Sequence, residues 1–455
     1  MKKKISVVTT KDKIKKFNKS ISTIPGCKSI SFRALIFSSQ LIGVSHLKGV
    51  SEGDDIKCCI QSLKDLKIRI LRLKPGEYKI FGNGENSFRQ PLKKKLYFGN
   101  AGTLGILIGF LATSSNINVK IFGDKSLQSR SMEKFLAPLS RIGATFSPKG
   151  KKNFPLVVQG TDYGLAQHHI LSSGSAQEKA AILNAAKNLA GITTIEERPP
   201  FSRNHSELML RSIGADIKVQ KKNGYNLISL RGQQNLRSVS MDIAGDCSSA
   251  SFFIAICLMT KESSLKIKKI NLNKFRIGYI RCLKSMGANI KFKNIKKKFG
   301  EPVGDIIVKS SKLRPINFPK KEVISTLDEI PILMTIASMI HGVSIFNLGY
   351  FNMKILKGKE ADRIKKMSEN LKAFGIITRT SKNSLKIYGN PKIKSSRQIK
   401  IAASLDHRIQ MSFCILALVT GANVLIKGCE TVKTSFPNYF SLLKKFGSKY
   451  EIKKN

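Results

Sequence analysis

The sequence predicts an α+β fold of two similar domains, each assembled from three copies of one α/β unit. Two recurrences carry this reading. An apolar, helix-length run opening on small or polar residues returns six times, and an amphipathic segment closed by a bulky apolar residue and glycine returns at matching intervals. The length adds a third observation, because 455 residues are too many for one core and suit two domains of roughly 200 residues.

The apolar runs are KSISFRALIFSSQLIG from Lys28, GTLGILIGFLA from Gly102 and SAQEKAAILNAAKNLAG from Ser175. SSASFFIAICLM from Ser248, DEIPILMTIASMIHG from Asp328 and DHRIQMSFCILALVTG from Asp406 follow. Successive starts lie 74, 73, 73, 80 and 78 residues apart. Each run is apolar on most faces, the mark of a buried helix rather than a surface one.

The second element reads as an outer amphipathic helix, a glycine cap and a strand. It occurs as LSRIGATF, LRSIGADI, LKSMGANI, LKAFGIIT and LKKFGSKY, with glycines at 143, 214, 287, 375 and 447. Glycine just past a helix accepts the left-handed cap conformation, and the alternating residues after it suit a strand. LKDLKIRILRL, around Lys67, is a first copy without the glycine. Self-similarity on this scale means one supersecondary unit used six times. The expected domains are residues 24–238 and, discontinuously, 1–23 with 239–455, with a cleft between them.

Helix N-termini carry unpaired N–H groups and a partial positive charge, so six such ends aimed at one cleft suit a polyanionic ligand. Small residues at these starts are also ordinary helix caps. The formal charge of +51 is spread along the whole chain rather than gathered on one tail, and the excess is mostly Lys. That distribution reads as surface composition. With no Trp and no basic–aromatic interleaving, a nucleic-acid-binding protein is the weaker alternative. The eight cysteines form no CxxC pair and read as buried thiols, which argues against zinc and disulfides. No apolar run spans a bilayer, and the basic start lacks the apolar stretch of a signal peptide, so a cytoplasmic protein is expected.

Eleven short strings then occur in a meaningful order. They are PGCKSISFR from Pro25, GNAGT from Gly99, GDKSLQSRSM from Gly123, SAQEKAA from Ser175, SRNHSE from Ser202 and GDCSSA from Gly245. NKFRIG from Asn273, LDEIPIL from Leu327, KEADR from Lys359, LDHRIQMSF from Leu405 and TSFP from Thr434 complete the series. The chain resembles the EPSP synthase family over about residues 20 to 445, nearer the bacterial branch with DHRxxMSF and TSFP.

The resemblance implies a six-unit inside-out barrel of the enolpyruvyl transferase type. It also implies transfer of the enolpyruvyl group of phosphoenolpyruvate to the 5-hydroxyl of shikimate 3-phosphate, in the shikimate route to chorismate and aromatic amino acids. By the same resemblance Lys28, Ser29, Arg33, Ser175, Ala176, Gln177, Arg203 and Lys359 match positions that hold shikimate 3-phosphate. Lys28, Asn100, Gly102, Arg130, Gln177, Arg363 and Arg408 match those that hold phosphoenolpyruvate. Asp328 matches the acceptor of the 5-hydroxyl proton and Glu360 the proton donor to the methylene carbon, with Lys28 as the third catalytic position. Arg suits such substrates because its fork pairs with carboxylate or phosphate through two bonds. No metal or organic cofactor is called for, and a monomer without membrane or nucleic-acid partners is expected.

The chain departs from the family pattern at Cys27, Phe32, Ile106, Ser131 and Asn204, where Ile106 replaces an Arg. These leave a drifted or impaired member as a second reading. The UDP-N-acetylglucosamine enolpyruvyl transferases are a third, weakened because no Cys lies between Cys59 and Cys247 to serve as their reactive loop cysteine.

Overall fold

The computed structural model describes residues 5–9, 12–393 and 397–454; residues 1–4, 10 and 11 of the expected 1–23 segment lie outside them. Two compact units are present. One holds the described residues up to Pro25 with Ala244–Lys296 and the chain from Pro302 onward, and the other holds Gly26–Ile243 with Lys297–Glu301.

The Gly26–Ile243 unit contains three four-stranded sheets, in spatial order Ser240–Asp242, Ile42–Lys48, Glu77–Asn83, Arg69–Lys74; Lys95–Tyr97, Asn118–Phe122, Leu156–Gln159, Thr145–Ser147; and His168–Leu171, Ile192–Glu197, Tyr225–Arg231, Ile217–Lys222. The first two strands of each are parallel and the others antiparallel. A parallel pair needs a crossover. In the second and third sheets the buried run supplies it and the outer helix follows. The first sheet takes its parallel strand from Ser240–Asp242, late in the chain, rather than from the residues just before Lys28.

The buried helices are Lys28–Ser39, Ile108–Ala112 and Ala176–Asn188, and residues such as Leu35, Leu107, Phe110 and Ile182 form the core between them. Each fully buried Leu, Ile or Phe contributes roughly 1.5–3 kcal/mol, so these faces hold the unit together. The run from Gly102 is not one helix as expected. Gly102–Leu107 is a 3-10 turn and only Ile108–Ala112 is α-helical. Gly105 and Gly109 weaken helix formation. They are needed for packing, because a Cβ on Gly105 would lie 2.5 Å from the Phe135 ring and one on Gly109 2.0 Å from the Ala181 carbonyl oxygen.

The other unit repeats the plan. Its sheets are Asn289–Lys298, Glu301–Lys309, Ser264–Asn271, Asn18–Ile21; Gly342–Asn347, Ser384–Gly389, Ile377–Thr380; and Ile399–Ile401, Val424–Ile426, Ile5–Thr9, Tyr450–Lys454. Asn18–Ile21 pairs parallel with Ser264–Asn271, and Ile5–Thr9 pairs antiparallel with both Val424–Ile426 and Tyr450–Lys454. Two strands from the start of the chain therefore complete the fourth and sixth repeats. The buried helices are Cys247–Met259, Ile330–Ser338 and His407–Thr420.

Five outer helices end before a glycine with positive φ, at Gly143, Gly214, Gly287, Gly375 and Gly447. In the copy without glycine, Lys67 itself takes φ 70°. Seven of the eight cysteines are buried, and burial raises the thiols of Cys257, Cys282 and Cys414 to about 12. Among the described residues no helix is long and apolar enough to cross a membrane.

Candidate active site

In the Gly26–Ile243 unit the expected residues cluster around three helix starts. Arg33, one turn into Lys28–Ser39, donates from Nη1 to the Ser29 carbonyl oxygen at 2.9 Å and from Nη2 to that of Ala176 at 3.2 Å. Its Nε donates to Ser206 Oγ at 2.7 Å. All three acceptors are neutral. Burial lowers the Arg33 guanidinium to about 10, against the upward pull of Glu207, and Arg203 adds a like charge nearby. Ser175 caps Ala176–Asn188 by accepting from Glu178 N at 3.3 Å. Gln177 donates to Thr103 Oγ1 at 3.0 Å and accepts from Lys134 Nζ at 2.6 Å.

Arg130 joins the same group. Its Nη2 donates to Asn100 Oδ1 and, at 2.9 Å, to Ser126 Oγ. Its buried Nε has no hydrogen-bond acceptor among the described residues. A Cβ on Gly102 would stand 3.3 Å from Arg130 Nη1. Lys28 Nζ lies 2.5 Å from Asp55 Oδ2.

In the other unit Asp328, Lys359, Glu360, Arg363 and Arg408 meet in one ionic network. Arg363 is 1% exposed and has three carboxylates around it. Its Nε donates to Asp406 Oδ2 at 2.8 Å and its Nη2 to Glu360 Oε2 at 2.6 Å, while Nη1 stands 3.7 Å from Asp328 Oδ1 without a hydrogen bond. Burial alone would lower this guanidinium, but Asp406, Glu360 and Asp328 outweigh it and hold it protonated above its ordinary range. Burial raises the Asp406 carboxyl against the pull of Arg363. Asp406 also caps His407–Thr420 through Arg408 N at 2.9 Å and Ile409 N at 3.4 Å.

Asp328 precedes Ile330–Ser338, whose cap position is Glu329. Asp328 Oδ2 accepts from Arg276 Nη1 at 3.2 Å, and Oδ1 lies 3.6 Å from Lys359 Nζ. Arg408 Nη1 donates to the Asp328 carbonyl oxygen and to Ser248 Oγ, both at 2.8 Å. Each unit thus carries its own cationic cluster, seated on helix starts and threaded with hydroxyls and carboxylates that fix the side chains.

A family model for EPSP synthase (3-phosphoshikimate 1-carboxyvinyltransferase) matches residues 11–443. The chain belongs to this family. The 3-phosphoshikimate 1-carboxyvinyltransferase of Zymomonas mobilis is 36% identical over 432 residues, covering 94% of each chain. That of Parvibaculum lavamentivorans is 33% identical over 433 residues, again covering 94% of each. The solved EPSP synthase of Acinetobacter baumannii superposes with a TM-score of 0.85 at 32% identity, covering 99% of this chain and 100% of that one. The enolpyruvyl transferase NikO of Streptomyces tendae shares the fold at a TM-score of 0.72 and 12% identity.

The two clusters also contain residues that motif reading left without a role. Arg276 in NKFRIG and Asp246 in GDCSSA sit in recognisable strings, and Asp246 Oδ1 lies 3.3 Å from Arg276 Nη2. Asp55 and Lys134, which hold Lys28 and Gln177, belong to no string, and nothing short of the fold pairs them with their partners. Three of the five departures fit their surroundings. Phe32 and Ile106 are buried in the core, and Ser131 Oγ accepts from Glu133 N at 3.3 Å, at the start of Glu133–Ile142.

Proposed function

We propose that the carboxylates of Asp328 and Glu360 divide the proton transfers of the enolpyruvyl transfer. The enzyme transfers the enolpyruvyl group of phosphoenolpyruvate to the 5-hydroxyl of shikimate 3-phosphate and releases inorganic phosphate. As the 5-hydroxyl oxygen bonds to C2 of phosphoenolpyruvate, its proton passes to Asp328, and the π electrons of the C2–C3 bond take a proton from Glu360 at C3. Loss of the C2–O bond to phosphate, with removal of a proton from the new methyl group, restores the double bond in the product.

The observation that carries this reading is the sharing of one buried guanidinium, that of Arg363, by two part-exposed carboxylates. Arg363 reaches Glu360 at 2.6 Å and Asp328 at 3.7 Å. A pair of carboxyl groups with different partners can separate acid from base. Anion binding at Arg363 reduces its hold on Glu360, which lets that carboxyl carry a proton. Among the described residues Arg363 Nη1 and Arg130 Nε are buried donors without a hydrogen-bond acceptor, which supports their use by the phosphate or carboxylate of phosphoenolpyruvate. Among the described residues Arg33 carries a buried positive charge hydrogen-bonded to neutral oxygens, which supports a role for it with Ser29, Ser175, Ala176, Gln177 and Arg203 in holding shikimate 3-phosphate. Lys28, Asn100, Gly102, Lys359 and Arg408 complete the substrate contacts in this reading.

The test is kinetic. Asp328→Asn and Glu360→Gln should each lower turnover by roughly 100- to 10,000-fold, the usual contribution of a general acid or base. Shikimate 3-phosphate binding, measured by calorimetry, should change far less. Near-normal turnover in either variant removes that residue from the mechanism.

A further inference from the structure

Asp328 has three cations near it, and they differ in kind. Lys359 is part-exposed and 3.6 Å away. Arg363 is 3.7 Å away and commits its shorter contacts to Asp406 and Glu360. Arg276 is closest, at 3.2 Å, and only 2% exposed.

The Arg276 side chain is fixed at both ends. Its backbone N–H donates to the Asn273 carbonyl oxygen at 2.8 Å, in a turn that Asn273 Oδ1 closes by accepting from Phe275 N at 2.9 Å. Its Nη2 lies 3.3 Å from Asp246 Oδ1, and Asp246 caps Cys247–Met259 by accepting from Ser248 N at 2.8 Å. Although burial alone would lower it, the surrounding acidic groups hold the Arg276 guanidinium protonated well above its ordinary range. A helix cap, a carboxylate, a guanidinium and Asp328 thus form one rigid line. Arg276 spends one Nη on Asp246 and the other on Asp328, so what it does for the reaction it does through Asp328.

We propose that Arg276 is a positioning residue for the enolpyruvyl transfer: it clamps Asp328 through Oδ2, so that Oδ1, on the side of Lys359 and Arg363, is the oxygen turned to the acceptor hydroxyl. This rests on the reading of Asp328 as the base. A planar guanidinium that bonds one carboxylate through each Nη holds both in fixed orientation, and a lysine ammonium cannot reproduce that geometry.

Arg276→Lys keeps the charge and loses the fork. Its turnover should fall roughly 10- to 100-fold, the scale of a small misplacement of a reacting group, while both apparent KM values change much less. Arg276→Gln removes the charge and should move the acidic limb of the kcat profile to higher pH, because Asp328 loses its nearest cation. Asp246→Asn, which leaves Arg276 and Asp328 in place, should reproduce the turnover loss in weaker form and serves if Arg276→Gln does not fold. In an Asp328→Asn background Arg276→Lys should cost nothing further, since the two act as a unit. Turnover of Arg276→Lys within twofold of the parent overturns the proposal. So does an additive loss in the double variant, or a parallel loss of turnover and substrate binding with an unmoved pH profile and a lowered melting temperature. Full activity in Asp328→Asn alone would instead overturn the assignment of the base, so the two failures are distinguishable.

Discussion

A methyl group on Gly102 would stand 3.3 Å from Arg130 Nη1 and 3.8 Å from Leu127 Cδ1. The first distance is tight enough that the guanidinium must move by a few tenths of an ångström. The resemblance to the family implies that glyphosate occupies the phosphoenolpyruvate site and that alanine at this position goes with its tolerant class. With Gly102 the space stays open, so inhibition competitive with phosphoenolpyruvate is expected. Gly102→Ala should weaken that inhibition markedly and also raise the KM for phosphoenolpyruvate, through the displaced Arg130. Steady-state inhibition kinetics decide this, and an unchanged inhibition constant in the variant would refute the steric account. Arg130 and Arg363 differ in what their loss should do. Arg130→Ala should mainly raise the KM for phosphoenolpyruvate. Arg363→Ala strips Asp406 of its partner in a fully buried pair and should also cost roughly 3–5 kcal/mol of stability, read by denaturant unfolding. Motif reading placed Arg363 in the site and said nothing of its burial. Its burial follows from Asp406, 43 residues away in sequence, which no local pattern couples to it.

Among elements, the outer helices were the most legible, because their closing glycines mark a backbone conformation that few side chains accept. Gly214 adopts φ 89° with open space around its Cβ position, whereas Lys67 at the equivalent place carries a side chain at φ 70°. A non-glycine residue there costs roughly 1–2 kcal/mol. Lys67→Gly should therefore stabilise the protein by up to about 1 kcal/mol, and Gly214→Ala should destabilise it by a similar amount. Unfolding midpoints give both, and a destabilised Lys67→Gly would show that the Lys67 side chain makes a compensating contact. The apolar composition of the run at Gly102 suggests one helix and hides the two close approaches that Gly105 and Gly109 permit. Strand partners were beyond local reading for a different reason. Ile42–Lys48 pairs with Ser240–Asp242, and Ser264–Asn271 with Asn18–Ile21. Such pairings join distant parts of the chain and leave no short-range pattern.

At the scale of the molecule, the sixfold spacing made the repeat visible, while the long reach of the two N-terminal strands into the fourth and sixth repeats left no periodic trace. The charge of +51 also acts at this scale. Both substrates are polyanions, so the field should speed their capture. Association should slow as salt shortens the Debye length to about 8 Å at physiological ionic strength. The value of kcat/KM for each substrate should thus fall with added potassium chloride more steeply than kcat does. Equal salt slopes for kcat and kcat/KM would show that the field does not act on capture.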